Sequence, residues 1–204
     1  MFLKNLNNFI LPDHVIIGSG PAGITLALEL ERKGIKSLII EAGDRYVTEG
    51  SQKLYQGTFV GENYFDLEQA RLRCLGGSSG HWGGNCRPLS KIDFKNWPIK
   101  YEDIYKYERL IHRILNLNFN EKYKNENSFS KNLKIINFKQ SDVNFAEKYE
   151  SHINKSNKIF LLLNSPLISM NVSEVKRDKI HEIIILENNI KINKLNVNKL
   201  ILAC

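Results

Sequence analysis

The sequence predicts an α/β fold: a parallel sheet carrying helices, joined to a β-meander. Two observations carry this. Residues 13–43 read as strand, helix and strand in close succession, the pattern that makes parallel neighbours. Residues 158–200 (KIFLLL, ISMNV, HEIIIL, IKINKLNV) alternate apolar and polar side chains, as meander strands with one solvated face do. At 204 residues the chain is long enough for one good core or two small domains.

In the first unit, His14–Ile17 is a short β-branched run ending at Gly18, as a buried parallel strand does. Pro21 suits a first helical turn, Ile24–Lys33 continues the helix, and Gly34 is a natural C-cap. Ser37–Ile40 is the second buried strand and closes on Glu41. Gly18, Gly20 and Gly23 then form G-x-G-x-x-G at the strand-to-helix turn. The first glycine permits the turn, the second lets a pyrophosphate approach the backbone, and the third lets helix pack on strand. Ala27, on the same helix face as Gly23, keeps that approach close. The helix N-terminus adds free N–H groups and partial positive charge. Glu41 can accept from ribose hydroxyls and would repel a 2′-phosphate. Ser19, Pro21, Ala22 and Ala42 complete the candidate contacts. A dinucleotide is implied, and NAD and FAD both remain open at this point.

A second glycine-rich stretch, RLRCLGGSSGHWGGN at 71–85, has five glycines in fifteen residues. Glycine at that density costs chain entropy, so something must come close to the backbone. Gly76-Gly77-Ser78-Ser79 can turn into a short helix with Ser78 or Ser79 as N-cap, its N–H groups facing phosphate or a flavin edge. Such a second cradle suits a long ligand and disfavours an NAD-dependent Rossmann dehydrogenase.

RLRCLGGSSGHWGGNCRPL, followed by DFKNWPI and YEDIYKYERLIHRIL, resembles the glucose–methanol–choline (GMC) oxidoreductases. Arg73 stands two residues before L-G-G-S-S and Trp97-Pro98 precedes an amphipathic helix, as in that family. The resemblance implies an FAD-binding Rossmann-like domain and an enzyme that oxidises the CH–OH group of a small alcohol or sugar. It places Arg73, Gly77, Ser78, Ser79, His81, Trp82 and Gly83 near FAD and Leu167, through its main chain, near the adenine. FAEKYESHINKSNKIFLLLNSPLISM resembles the family's helix leading into a strand and adenine crossing, and KLILAC its strand returning to the parallel sheet. The implied domains are 12–98 for the first part of the FAD-binding domain and 99–157 for an inserted, partly substrate-side segment. Residues 158–204 supply the meander and returning strand. DFKNWPI is shorter than the family's spacing, which implies a trimmed loop. Family members continue past the equivalent of Cys204 into a half that carries the catalytic histidine and its partner. No catalytic residue is therefore assigned, and the chain alone is expected to be inactive. A non-catalytic remnant with an incomplete FAD site is the other reading. Ser79-Gly80-His81-Trp82 also matches the S-x-H-W segment of pyranose-oxidase-like relatives, where the histidine is bonded to the flavin methyl group. A histidine that only hydrogen-bonds near the flavin, or packs on Trp82, is the alternative.

Composition excludes other classes. The net charge of +7 arises from single lysines scattered among asparagines, with no run or Arg/aromatic stripe, so no nucleic-acid partner is expected. Cys74, Cys86 and Cys204 form no CxxC pair, which argues for reduced thiols and against zinc. Cys74 and Cys86 read as buried, inert thiols. His14, His112, His152 and His181 lack metal-like spacing and read as structural. No apolar run spans a bilayer and no signal peptide is apparent, so a cytoplasmic location is expected. Residues 119–144 lack apolar periodicity and read as a loop-rich insertion.

Overall fold

The computed structural model describes residues 1–58, 60–62, 65–119, 128–130, 133–134, 136–172 and 179–204. It contains two compact units, Met1–His81 with Asn144–Cys204, and Trp82–Val143.

The first unit follows from its apolar runs. Strands β1 (Phe2–Leu3) and β2 (His14–Ile17) lead to helix α1 (Pro21–Arg32) and strand β3 (Ser37–Ile40). Helix α2 (Phe145–Lys155) precedes strands β4 (Ile159–Leu162), β5 (Leu167–Val172), β6 (Ile180–Glu187), β7 (Lys191–Asn196) and β8 (Lys199–Leu202). Five strands form one sheet in the order β1-β4-β3-β2-β8, and every pairing in it is parallel. The register sets Ile17 beside Ile40 and Leu202. The β2 and β3 tips and the returning strand β8 thus end together.

Strand faces alternate, so each side of this sheet has its own cover. Val15, Ile17, Leu38, Ile40 and Leu162 pack against Ile183, Ile185, Leu195 and Val197 of the antiparallel β5–β6–β7 sheet and its exit. Ile16 and Ile39 face the other way, and α1 packs on β2 and β3 with Ile24 and Ala27 fully buried. Nine or so fully buried branched side chains of this kind, at roughly 1.5–3 kcal/mol each, dominate the stability of the unit. Helix α1 stops as expected: Gly34 at φ +79° lets Ile35 N–H donate to Leu30 O at 2.9 Å.

Three expectations need correction. KIFLLL is not a meander strand: β4 belongs to the parallel sheet, and Ile159, Leu161 and Leu162 are fully buried, which an apolar run without alternation should have signalled. The meander proper covers Leu167–Asn196. Helix α2, placed by sequence inside the 99–157 insertion, packs on α1 and β4 in the first unit, with Phe145 and Ile153 buried. The helix expected over 101–115 is two helices, Tyr101–Tyr105 and Glu108–Ile114. They separate where Tyr107 N–H donates to Ile104 O in a tight i→i+3 turn.

The second unit is built around those two helices and a two-stranded ladder, Asn85–Cys86 with Lys139–Gln140. A further ladder pairs Ser128–Ser130 with Leu133–Lys134. The rest of the loop-rich reading over 119–144 falls partly on 120–127, 131–132 and 135, outside the described residues.

Candidate functional site: a cleft at the strand tips

The carboxyl ends of β2, β3 and β8 open into a cleft of about 1120 Å³ in the first unit. That is where open α/β sheets place their ligands. Gly18, Gly20, Pro21 and Ala22 form one wall, and Glu41 and Ala42 end the next strand. Arg73, Gly77 and Ser78 come from the second glycine-rich stretch, and Leu167 from the start of β5.

The two glycine turns abut on the cleft wall. A Cβ on Gly77 would lie 3.2 Å from the Gly20 Cα, and Gly77 has φ +54°. A Cβ on Gly20 would meet nothing within 4 Å, so this backbone looks into open cleft. Gly23 serves packing: its Cβ would lie 2.0 Å from Gly18 O. Helix α1 begins at Gly20 with no side-chain cap and no acid in its first turn. Its first N–H groups are therefore left to a ligand, and the macrodipole favours an anion there.

Glu41 is nearly buried, at 6% exposure. Its Oε2 accepts from Ser19 N–H at 2.8 Å and from Ser19 Oγ at 2.6 Å, and its Oε1 accepts from Gly43 N–H at 2.8 Å. Three of the carboxylate's roughly four lone-pair sites are thus in use. Glu41, expected from sequence as an acceptor for ribose hydroxyls, also ties the first turn to the end of β3. Ser19, fully buried, acts through Glu41 and does not line the cleft.

The second stretch departs from its expected helix. Gly77–Gly80 is a single 3-10 turn capped by Gly76 at φ +81°, not an α-helix with a serine N-cap. The serines are spent on structure: Ser79 Oγ donates to Gly76 O at 2.6 Å and accepts from Phe145 N–H at 3.1 Å. Ser78 Oγ accepts from Leu72 N–H at 3.1 Å. Ser79 is buried and His81 is exposed at the end of the turn, and neither lines the cleft. Trp82 and Gly83 belong to the second unit, where Trp82 Nε1 donates to Val143 O at 3.0 Å.

Several lining residues escaped sequence reasoning. Arg71 joins Arg73 in the cleft, and the extended backbone at Arg71 accounts for this, because residues i and i+2 share a face. The R-x-R spacing was the available signal. Leu54 and Tyr55 come from a segment without a motif. Burial and the Glu41 charge push the Tyr55 phenol up, against the two arginines, so it stays a neutral donor. Burial and Glu41 also push the Cys74 thiol up, which keeps it protonated and unreactive. Ile17, Ile40, Leu72, Ser165, Pro166, Ala203 and Cys204 also line it. No group of three or more metal-ligating side chains occurs among the described residues. No described helix is long and apolar enough to cross a membrane.

A family model described as an FAD binding domain matches residues 13–59, the segment that builds the first turn, β3 and the Tyr55 side of the cleft. Among solved structures the chain is similar to the crystal structure of pyridoxine 4-oxidase from Mesorbium loti, with a TM-score of 0.60 and 14% identity. That likeness covers 94% of this chain and 49% of the other, so the chain spans about half the length of the oxidase. At such identity the likeness is one of fold. No curated protein matches the sequence. The glycine turns, the uncapped helix and the matched model agree, and the chain carries a Rossmann-like FAD-binding fold whose cofactor is FAD.

Proposed function

We propose that the chain is the FAD-binding part of an oxidoreductase of the GMC type, acting on the CH–OH group of a small alcohol or sugar. The observation that carries the reading is that the bare backbones of Gly20 and Gly77 lie side by side on the wall of a cleft that also holds Arg71 and Arg73. Two bare backbone turns with two cations suit an extended, doubly phosphorylated ligand. The GMC-like sequence of 71–98 and the fold shared with an oxidase support the alcohol-oxidising class.

In this reading Met1–His81 with Asn144–Cys204 forms the cofactor domain, and Trp82–Val143 begins the substrate side. FAD, when bound, supplies the hydride-accepting chemistry. The chain's own residues bind and orient it. The Ala22 and Gly23 N–H groups and the two arginines neutralise phosphate, and the remaining Glu41 lone pair accepts from a ribose hydroxyl. Leu167 borders the base with its backbone. Tyr55, held neutral, donates a hydrogen bond within the cleft. No side chain of the 204 residues is assigned the alcohol's proton.

The test is anaerobic mixing of the FAD-loaded product of the full reading frame with a panel of primary alcohols and aldoses. Bleaching of the flavin's visible absorbance, with a carbonyl product, is expected. Bleaching by reduced nicotinamide alone would refute the alcohol-oxidising reading.

A further inference from the structure

No acidic side chain holds the two cations of the cleft. Arg71 and Arg73 make no ion pair among the described residues, yet both line the cleft. What aims them is the backbone between them, because side chains two residues apart on an extended segment share a face. Arg71 has the extended dihedrals φ −137° and ψ 144°, but residues 71–73 belong to no strand of any sheet. Their extended form needs a partner from elsewhere.

A side chain takes that part. Gln52 ends the one-turn helix Glu49–Gln52, whose start Thr48 caps by accepting from Ser51 N–H at 3.3 Å. The Gln52 Nε2 donates to Arg71 O, and its Oε1 accepts from Arg73 N–H at 3.2 Å. A residue on a parallel neighbouring strand makes the same two bonds, donating to one residue and accepting from the residue two further on. Nε2 also donates to Glu68 O, which ties in the turn that leads to Arg71. The Leu72 N–H between the two arginines points the other way and donates to Ser78 Oγ at 3.1 Å. Both edges of the segment are therefore held. Gln52 itself does not line the cleft.

We propose that Gln52 is a positioning residue for the phosphates of the cofactor: its side-chain amide holds residues 71–73 extended, so that both arginines present to the cleft. The proposal rests on the FAD reading of the cleft given above. Gln52 acts through Arg71 and Arg73 and touches no ligand atom.

The test is a double-mutant cycle on FAD affinity in the 204-residue chain, read by quenching of flavin fluorescence, with melting temperature measured alongside. Gln52→Ala should weaken FAD binding about tenfold. In the Arg71→Ala/Arg73→Ala chain the same replacement should change affinity by less than about twofold, because nothing remains for Gln52 to aim. Should Gln52→Ala fold poorly, Gln52→Met keeps the side-chain length without the amide and takes its place in the cycle. In the ligand-free wild-type chain, the Arg73 N–H should be protected from hydrogen exchange. An equal loss of affinity in both backgrounds, unchanged affinity in a folded Gln52 variant, or an unprotected Arg73 N–H would overturn this proposal alone. A wild-type chain that binds no FAD would overturn the cofactor reading and this proposal with it.

Discussion

The Glu41 carboxylate accepts from both the N–H and the hydroxyl of Ser19, at 2.8 and 2.6 Å, and thereby locks the first glycine turn onto the end of β3. Gly43 N–H completes the set at 2.8 Å. Glu41 is thus a strut as well as a ligand. Glu41→Ala would leave two buried N–H groups unpaired, and should destabilise the FAD-free chain by roughly 2–3 kcal/mol. Urea unfolding without FAD measures this. Stability equal to wild type, with only FAD affinity reduced, would mean that the carboxylate serves the ligand alone.

Cysteine accessibility separates the cleft's wall from its mouth. Cys74 and Cys86 are buried and their thiols are pushed up by burial, whereas Cys204 is exposed and borders the cleft. Native labelling with iodoacetamide at neutral pH should therefore modify Cys204 first, with all three reacting after denaturation. Saturating FAD should slow the Cys204 reaction. Labelling of Cys74 at the same native rate would show that the wall is open there.

His112 titrates with a definite sign. Burial and the Lys139 charge lower its folded pKa below the ordinary 6.5. The unfolded chain then binds more protons than the folded chain just below 6.5. Its contribution to stability is full above that value and is lost as pH falls towards the folded pKa. An NMR titration of the ring should show a midpoint under 6.5. Replacing His112 by Phe should flatten the acid limb of a stability profile. A midpoint at or above 6.5 would contradict the burial seen here.

The strand–helix–strand unit was legible because local rules agree with the tertiary fold at every step. The β-branched run at Val15–Ile17, Pro21, Gly34 and the Ser37–Ile40 run each point the same way. The returning strand β8 was legible only through family resemblance, since KLILAC has no motif of its own. What stayed hidden depends on contacts distant in sequence. Ser79 looks like a helix cap locally, yet it is claimed by Phe145 N–H, 66 residues away. Glu41 looks like a free acceptor at a strand tip, yet Ser19 and Gly43 reach it first. Tyr55 enters the cleft from a stretch whose pattern says nothing about where it goes.

His81 is exposed at the end of the 3-10 turn and outside the cleft lining. The S-x-H-W match alone would join it to the flavin methyl group. Its placement favours a non-covalent flavin. Acid precipitation of the FAD-loaded protein should release the flavin entirely into the supernatant. In-gel flavin fluorescence that disappears in His81→Ala would establish the covalent bond instead.

The cofactor cleft is tested most directly at Gly20, the one glycine of the first turn whose added methyl would touch no protein atom within 4 Å. FAD is titrated into the wild-type chain and into Gly20→Ala, with melting temperature measured alongside. Wild type should bind one FAD per chain. Gly20→Ala should melt within about 0.5 kcal/mol of wild type, yet bind FAD at least about tenfold more weakly, because its methyl occupies the path of the pyrophosphate. Equal FAD affinity in the two folded proteins would contradict the placement of FAD against this turn.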